Sequence, residues 1–267
     1  HHTAQLHLLF SELVKDIDSK DIAAIGASSR PRPVDGSYMP CFTVGENTAK
    51  ILSSALKVPL YTFSHQEGHI AAALYDSKSE NLFTEKFLAF HVSGGTTEAV
   101  IAKGSGYGFS LDLAAKSLDL NAGQAIDRVG LMLGLRFPCG AELEKLALKN
   151  TKKISVRPTL KECDCCLSGL ENICRRLLEN NESKEYIAAY CIEYIRKTLS
   201  LMTDKLLLKY GTMPVLYAGG VMSDSIIQNS FKEKYNAAFA QPSLSSDNAV
   251  GIAYLAYRKY KNVHTEF

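Results

Sequence analysis

Short apolar runs alternate with longer helical periodicities along this chain. Leu6, Leu9, Phe10, Leu13 and Val14 recur at helical spacing and predict an amphipathic first helix. Asp21 to Gly26 reads as a short buried strand, and Ser28 to Pro40, rich in Pro, Gly, Arg and Ser, as a loop. Gly45 to Leu56 predicts a helix and Val58 to Phe63 a buried strand, followed by the helix former Ile70-Ala71-Ala72-Ala73-Leu74. A second series begins at Lys86, with strands at Phe87–Val92 and Thr97–Ala102 separated by the turn Ser93-Gly94-Gly95-Thr96. Helices are predicted at Asn121–Leu133, Ala141–Leu148, Leu167–Leu178 and Ser183–Tyr210, with Asn150 to Cys163 polar and irregular. Pro214 to Ala218 is a strand entering Gly219-Gly220-Val221, with a helix starting at Ser223 or Asp224. Ser246 fits the N-cap of a last helix and puts Asp247 in its first turn, a position that suits a simple dipole-favoured acid.

The densest chemistry lies in Ser64-His65-Gln66-Glu67-Gly68-His69-Ile70. Residues four apart share a helix face, so His65 and His69 stand side by side. They are either a half-site for a divalent metal or two unrelated histidines lining a helix. Glu67 sits roughly 200° from His65 around the helix, away from that face, which argues against a metallopeptidase. The paired glycines at Gly94-Gly95 and Gly219-Gly220 allow close approach of a ligand to backbone, and Ser93 to Thr96 either cradles a phosphate or only turns. Arg30 and Arg32 flank Pro31 on extended backbone, as a phosphate contact or a solvated loop.

Composition changes the picture little. The chain has 267 residues, 46% apolar and 22% charged, with net charge +2, as an ordinary globular protein of one large domain or two lobes has. That balance does not announce a nucleic-acid partner, although a local basic patch fits within it. No apolar run reaches membrane-spanning length, no signal peptide opens the chain, and the 7 Cys read as reduced thiols in the cytoplasm. Cys163-Asp164-Cys165-Cys166 with Cys174 lacks a second pair at zinc-site spacing and reads as small buried thiols rather than a zinc knot.

Taken together, seven stretches in order resemble the motifs of the threonylcarbamoyladenosine synthase family, called TsaD in bacteria and long misannotated as glycoproteases. They are His65–His69, Val92–Thr96, Ala122–Asp127, Leu133–Leu135 with Phe137–Gly140, Leu167–Leu170, Ala218–Val221 and Ser246–Ala249. The chain is most similar to a divergent branch found in anaerobic Gram-positive bacteria. The resemblance implies a two-lobed α/β fold of the actin-like ATPase (ribonuclease-H-like) class, with a nucleotide cleft. The lobes would be residues 1–84 completed by 246–267, and residues 85–245. It implies one divalent metal, iron or zinc, on His65, His69 and Asp247. It places Ser93, Gly94, Gly95 and Thr96 at the phosphates of ATP or threonylcarbamoyl-adenylate. Asp127 would meet the ribose, Gly140 the ribose and base, and Gly219 and Gly220 the base side, with Asp224 close by.

The implied reaction moves a threonylcarbamoyl group from threonylcarbamoyl-adenylate to N6 of the adenosine beside the tRNA anticodon, in concert with partner proteins and away from membranes. Three departures point to an alternative, a weak nucleotide-binding paralogue serving as partner or scaffold. Thr96 stands where the family usually has His, and Asp224 where it usually has Asn. The family's first phosphate hairpin has no counterpart before His1, so the chain is expected to be truncated, to self-associate and to bind nucleotide weakly.

Overall fold

The structure is a computed structural model and describes residues 2–75, 79–245 and 248–264. The first elements are α1 (His2–Leu13), β1 (Ile25–Arg30), α2 (Pro40–Leu56), β2 (Leu60–Ser64) and α3 (His65–Tyr75). Next come β3 (Lys86–Val92), β4 (Thr97–Gly104), β5 (Phe109–Lys116), α4 (Ala122–Met132), α5 (Gly140–Ala147), β6 (Leu160–Lys161) and β7 (Asp164–Cys165). The chain then forms α6 (Ser168–Glu179), α7 (Lys184–Tyr210), β8 (Val215–Ala218), α8 (Ser225–Lys234), β9 (Ala237–Phe239) and α9 (Val250–His264). Two compact units result. One is His1–Glu85 with Lys103–Ser110 and Asp247–Phe267; the other is Lys86–Ala102 with Leu111–Ser246.

In the first unit β1 and β2 pair in parallel, with Ile25 opposite Leu60 and Arg30 opposite Ser64. The strand expected at Asp21–Gly26 therefore lies some four residues later. Its register is decided by pairing with β2, which draws Ser28 to Arg30 out of the predicted loop, while Ser19–Asp21 closes as a short 3₁₀ turn. Helix α2 begins at Pro40, earlier than the apolar pattern suggests, because proline at the first helical positions gives up only an amide that has no helical partner. Leu9 and Leu13 of α1 are 66% and 69% exposed, so only part of its predicted apolar face is covered.

Helix α9 packs on α3, β1 and β2. Its contact with α3 is a crossing of two glycines: a Cβ on Gly251 would fall on the Gly68 carbonyl oxygen. The helix starts at Val250, later than a Ser246 cap implies, and Asn248 Oδ1 accepts the Val250 amide at 3.0 Å. Ser246 and Asp247 themselves lie outside the described residues.

In the second unit the sheet order is β5-β4-β3-β8-β9, with β3–β8 and β8–β9 parallel. Strands β5 and β9 are absent from the pattern-based reading: β9 is only three residues long, and both take their identity from their neighbours. Tyr217 on β8 is fully buried and stacks on Phe90 at 5.2 Å and Phe239 at 5.3 Å. Its hydroxyl reaches Thr203 Oγ1 at 2.7 Å, so the ring is buried without an unpaired polar atom. Helix α7 supplies much of the remaining core through Ile187, Cys191, Ile195, Leu199 and Met202.

Candidate functional site

The first candidate centre opens α3. Ser64, the last residue of β2, and Glu67 form a reciprocal cap. Glu67 Oε2 accepts from Ser64 N at 2.7 Å and from Ser64 Oγ at 2.8 Å, while Glu67 N donates to Ser64 Oγ at 3.2 Å. Glu67 Oε1 accepts the Phe109 amide at 3.4 Å. The Ser-x-x-Glu spacing was a legible signal for this box. Glu67 is thus buried and committed to the helix start, on the opposite side from any metal face.

The cap fixes where the helix begins, and so brings His65 and His69 together one turn apart. Their Nε2 atoms are 3.0 Å apart, with the rings edge-on at 74° and Phe42 5.4 Å from the His65 ring. Two nitrogens each about 2.0–2.1 Å from one ion, with angles between square and tetrahedral, are separated by roughly 2.8–3.4 Å. The pair therefore fits two positions of a metal site. Among the described residues no third His, Cys, Asp or Glu joins them.

The second candidate centre belongs to the other unit. Ser93 N donates to Thr96 O at 2.7 Å, and Ser93 Oγ accepts the amides of Gly95 and Thr96 at 3.2 and 3.1 Å. The turn is thus rigidified from within by its own serine. A Cβ added at Gly94 or Gly95 would meet nothing within 4 Å, so the tip is open. Behind it, Gly123 N donates to Ser93 O at 3.1 Å and Ala122 N to Thr97 Oγ1 at 2.8 Å. A Cβ on Gly123 would lie 2.5 Å from Gly94 N, which explains the glycine at the start of α4. Thr97 is a positioning residue that sequence reasoning passed over; a hydroxyl at the first position of a strand carries no distinctive signal.

Gly219 has φ +97° and lies against the Val92 backbone, where any Cβ would collide. Gly220 follows with open space and lines a cavity of about 170 Å³. Gly140, Glu144, Ile126, Ser223 and Asp224 share its wall. Three predicted ligand-site residues, Gly140, Gly220 and Asp224, therefore meet in one hollow at the end of the sheet that also carries the Ser93–Thr96 turn. Asp224 caps α8, its Oδ1 accepting from Ile226 N at 2.9 Å and Ile227 N at 3.0 Å. Burial, reinforced by Glu144, pushes its carboxyl up to about 6. Glu144 accepts the Ser225 amide at 2.8 Å and the Ser225 hydroxyl. It lies four residues after Gly140 on one helix face, a spacing that would have marked it.

Asp127 is half-buried on α4, and its Oδ1 accepts the Cys139 amide at 2.8 Å. One oxygen is therefore spent on holding the Phe137–Gly140 turn that starts α5. Cys139 fills the space over Gly130, and burial with the charges of Asp127 and Glu142 raises its thiol above the ordinary range. Cys165, Cys174 and Cys191 are fully buried, and burial pushes Cys165 up to about 12, so these are packing thiols. Arg30 ends β1 and is exposed, while the Pro31 carbonyl accepts the Gln66 amide at 3.0 Å and ties this segment to the start of α3.

No described helix is long and apolar enough to cross a membrane. The fold resembles full-length HypF in its phosphate- and nucleotide-bound form, with a TM-score of 0.62 and 15% identity over 83% of this chain, which spans 38% of the HypF chain. It also resembles the activator of 2-hydroxyisocaproyl-CoA dehydratase from Clostridium difficile with bound ADPNP, at a TM-score of 0.52 and 13% identity over 88% of this chain and 87% of that one. These likenesses establish the α/β actin-like ATPase fold. In sequence, the tRNA N6-adenosine threonylcarbamoyltransferase of Carboxydothermus hydrogenoformans is 33% identical over 97% of this chain and 78% of its own length. The Archaeoglobus fulgidus protein of that description is 26% identical over 99% of this chain and 79% of its own length. The family model for TsaD, tRNA N6-adenosine threonylcarbamoyltransferase, matches residues 1–254, and the chain belongs to that family.

Proposed function

We propose that this protein transfers a threonylcarbamoyl group from threonylcarbamoyl-adenylate to N6 of the adenosine next to the tRNA anticodon, in the cytoplasm and together with partner proteins. The observation that carries the reading is the meeting of Gly140, Gly220 and Asp224 around one cavity, at the sheet end that holds the open Ser93–Thr96 turn. A glycine-rich turn with an open tip at Gly94 and Gly95 suits phosphate, and the neighbouring hollow suits the base end of a nucleotide. In the reaction the N6 nitrogen forms a bond to the carbamoyl carbon, and the bond from that carbon to the adenylate oxygen breaks. AMP leaves with that electron pair, and the nitrogen gives up a proton to solvent.

The amine is a weak nucleophile, so positioning both reactants is the main task of the protein. Ser93 to Thr96 hold the phosphate, Gly219 and Gly220 let the base approach backbone, and the second oxygen of Asp127 is available to the ribose. Thr96 at the phosphates, in place of the family's usual His, leaves a neutral hydroxyl there. His65, His69 and Asp247 would hold a divalent ion, iron or zinc; the 3.0 Å separation of the imidazole nitrogens supports the first two. Such an ion, when bound, supplies Lewis acidity for a carbonyl or a leaving phosphate. The protein, its partner proteins, threonylcarbamoyl-adenylate and unmodified tRNA should yield threonylcarbamoyladenosine in nucleoside digests read by mass spectrometry. Unmodified adenosine after complete consumption of the adenylate would overturn the reading.

A further inference from the structure

The polar segment between α5 and β6 is an ordered strap laid along α7. Lys152 Nζ meets Glu182 Oε2 at 2.7 Å and sits 5.3 Å over the Tyr186 ring. Further on, Val156 O accepts from Lys197 Nζ at 3.1 Å, and Glu162 O from Lys205 Nζ at 2.7 Å. From Tyr186 to Lys205 a helix rises roughly 28 Å. Lys152 to Glu162, ten residue steps, reach roughly 33 Å when fully extended. The strap is thus tied to α7 near both of the helix's ends and at its middle.

Its burial alternates as in a strand. Val156 and Pro158 are buried and Ile154 and Leu160 half-buried, while Lys153, Ser155, Arg157, Thr159 and Lys161 face solvent. The outward row therefore reads cation, hydroxyl, cation, hydroxyl, cation. Pro158 also keeps Arg157 extended. Lys153 and Arg157 form no ion pair among the described residues. Lys161 stands opposite Asp164 in the β6–β7 pair, and Asp164 Oδ1 takes the Lys116 amide at 2.7 Å.

We propose that this strap contacts the sugar–phosphate backbone of tRNA. The three cations spread over roughly 26 Å of extended chain, so they address several phosphates of a polyanion and not one small anion. Lysine, arginine and intervening hydroxyls are the groups that bind phosphate and ribose without reading sequence. The row carries no large exposed apolar side chain of the kind that anchors a protein partner. The inference rests on the tRNA reading above and locates one surface for it.

The test measures tRNA affinity of the full chain against salt concentration, for the natural sequence and for Lys153→Gln/Arg157→Gln/Lys161→Gln. Each lost phosphate contact lowers the slope of log affinity against log salt by about 0.7–0.9, so a fall of about 2–3 is expected, with unchanged adenine-nucleotide affinity. The charge-conserving set Lys153→Arg/Arg157→Lys/Lys161→Arg should keep the slope. An unchanged slope in the glutamine variant, or a lost slope in the charge-conserving one, overturns the strap assignment alone. Failure of the natural protein to bind tRNA at any salt overturns the tRNA reading as well.

Discussion

Asp224 shows how one side chain links capping, charge and ligand chemistry. Its folded carboxyl titrates near 6 against an ordinary 3.8. Because the folded state holds this proton more tightly, its contribution to stability is fully present below the unfolded value. It is lost as pH rises through about 6. The difference amounts to roughly 3 kcal/mol at most. Asn at this position keeps the oxygen that caps α8 but cannot titrate. Asp224→Asn is therefore expected to flatten the stability curve between about pH 4 and 7, and to bind adenine nucleotide more tightly above pH 6, where the aspartate is charged. Urea melts of both proteins across that range check the first effect and calorimetry the second; parallel curves would contradict it. Glu67 teaches the converse: its angle around the helix and its spacing from Ser64 were readable in the sequence, but its burial against Phe109 needed the fold.

At the scale of elements, close packing of glycines decides where helices and turns lie. Gly130 on α4 faces Cys139, so a methyl at residue 130 would strike the Cys139 side chain. Gly130→Ala should cost about 1–3 kcal/mol, as overpacking does. Removing the obstacle in Gly130→Ala/Cys139→Gly should recover most of it, giving a coupling of about 1 kcal/mol or more in a double-mutant cycle. Additive losses would show that the two do not share the space. The Gly219-Gly220 turn makes a different contrast. Gly219 needs its left-handed backbone and has no room beside Val92, so Gly219→Val should damage folding itself. Gly220 has room for a side chain and borders the cavity. Gly220→Val should therefore leave the melting temperature nearly unchanged while weakening adenine-nucleotide binding at least tenfold; full affinity would place the base elsewhere.

Across the whole molecule, a metal held by the folded protein and not by the unfolded chain adds stability by mass action, about 2.7 kcal/mol at a hundred times its dissociation constant. A chelator should therefore lower the melting temperature of the metal-loaded protein, and His69→Ala should remove both the metal and the chelator effect. Metal analysis showing full occupancy in that variant would remove His69 from the ligand set. The sequence by itself determined the local elements with strong periodicity or capping signals: α3 with its histidines, α4, the long α7, and β3. It also determined the order of the motifs, because glycines, histidines and their spacings are local properties. Tertiary structure alone decided the register of β1, the three-residue strand β9 and the start of α9, since each depends on a partner outside its own stretch of chain, and it settled β5 by pairing it with β4. It likewise brought Gly140, Gly220 and Asp224 to one cavity and set Gly251 against Gly68. Such meetings are fixed by packing between distant segments, a contact energy that no window of neighbouring residues contains.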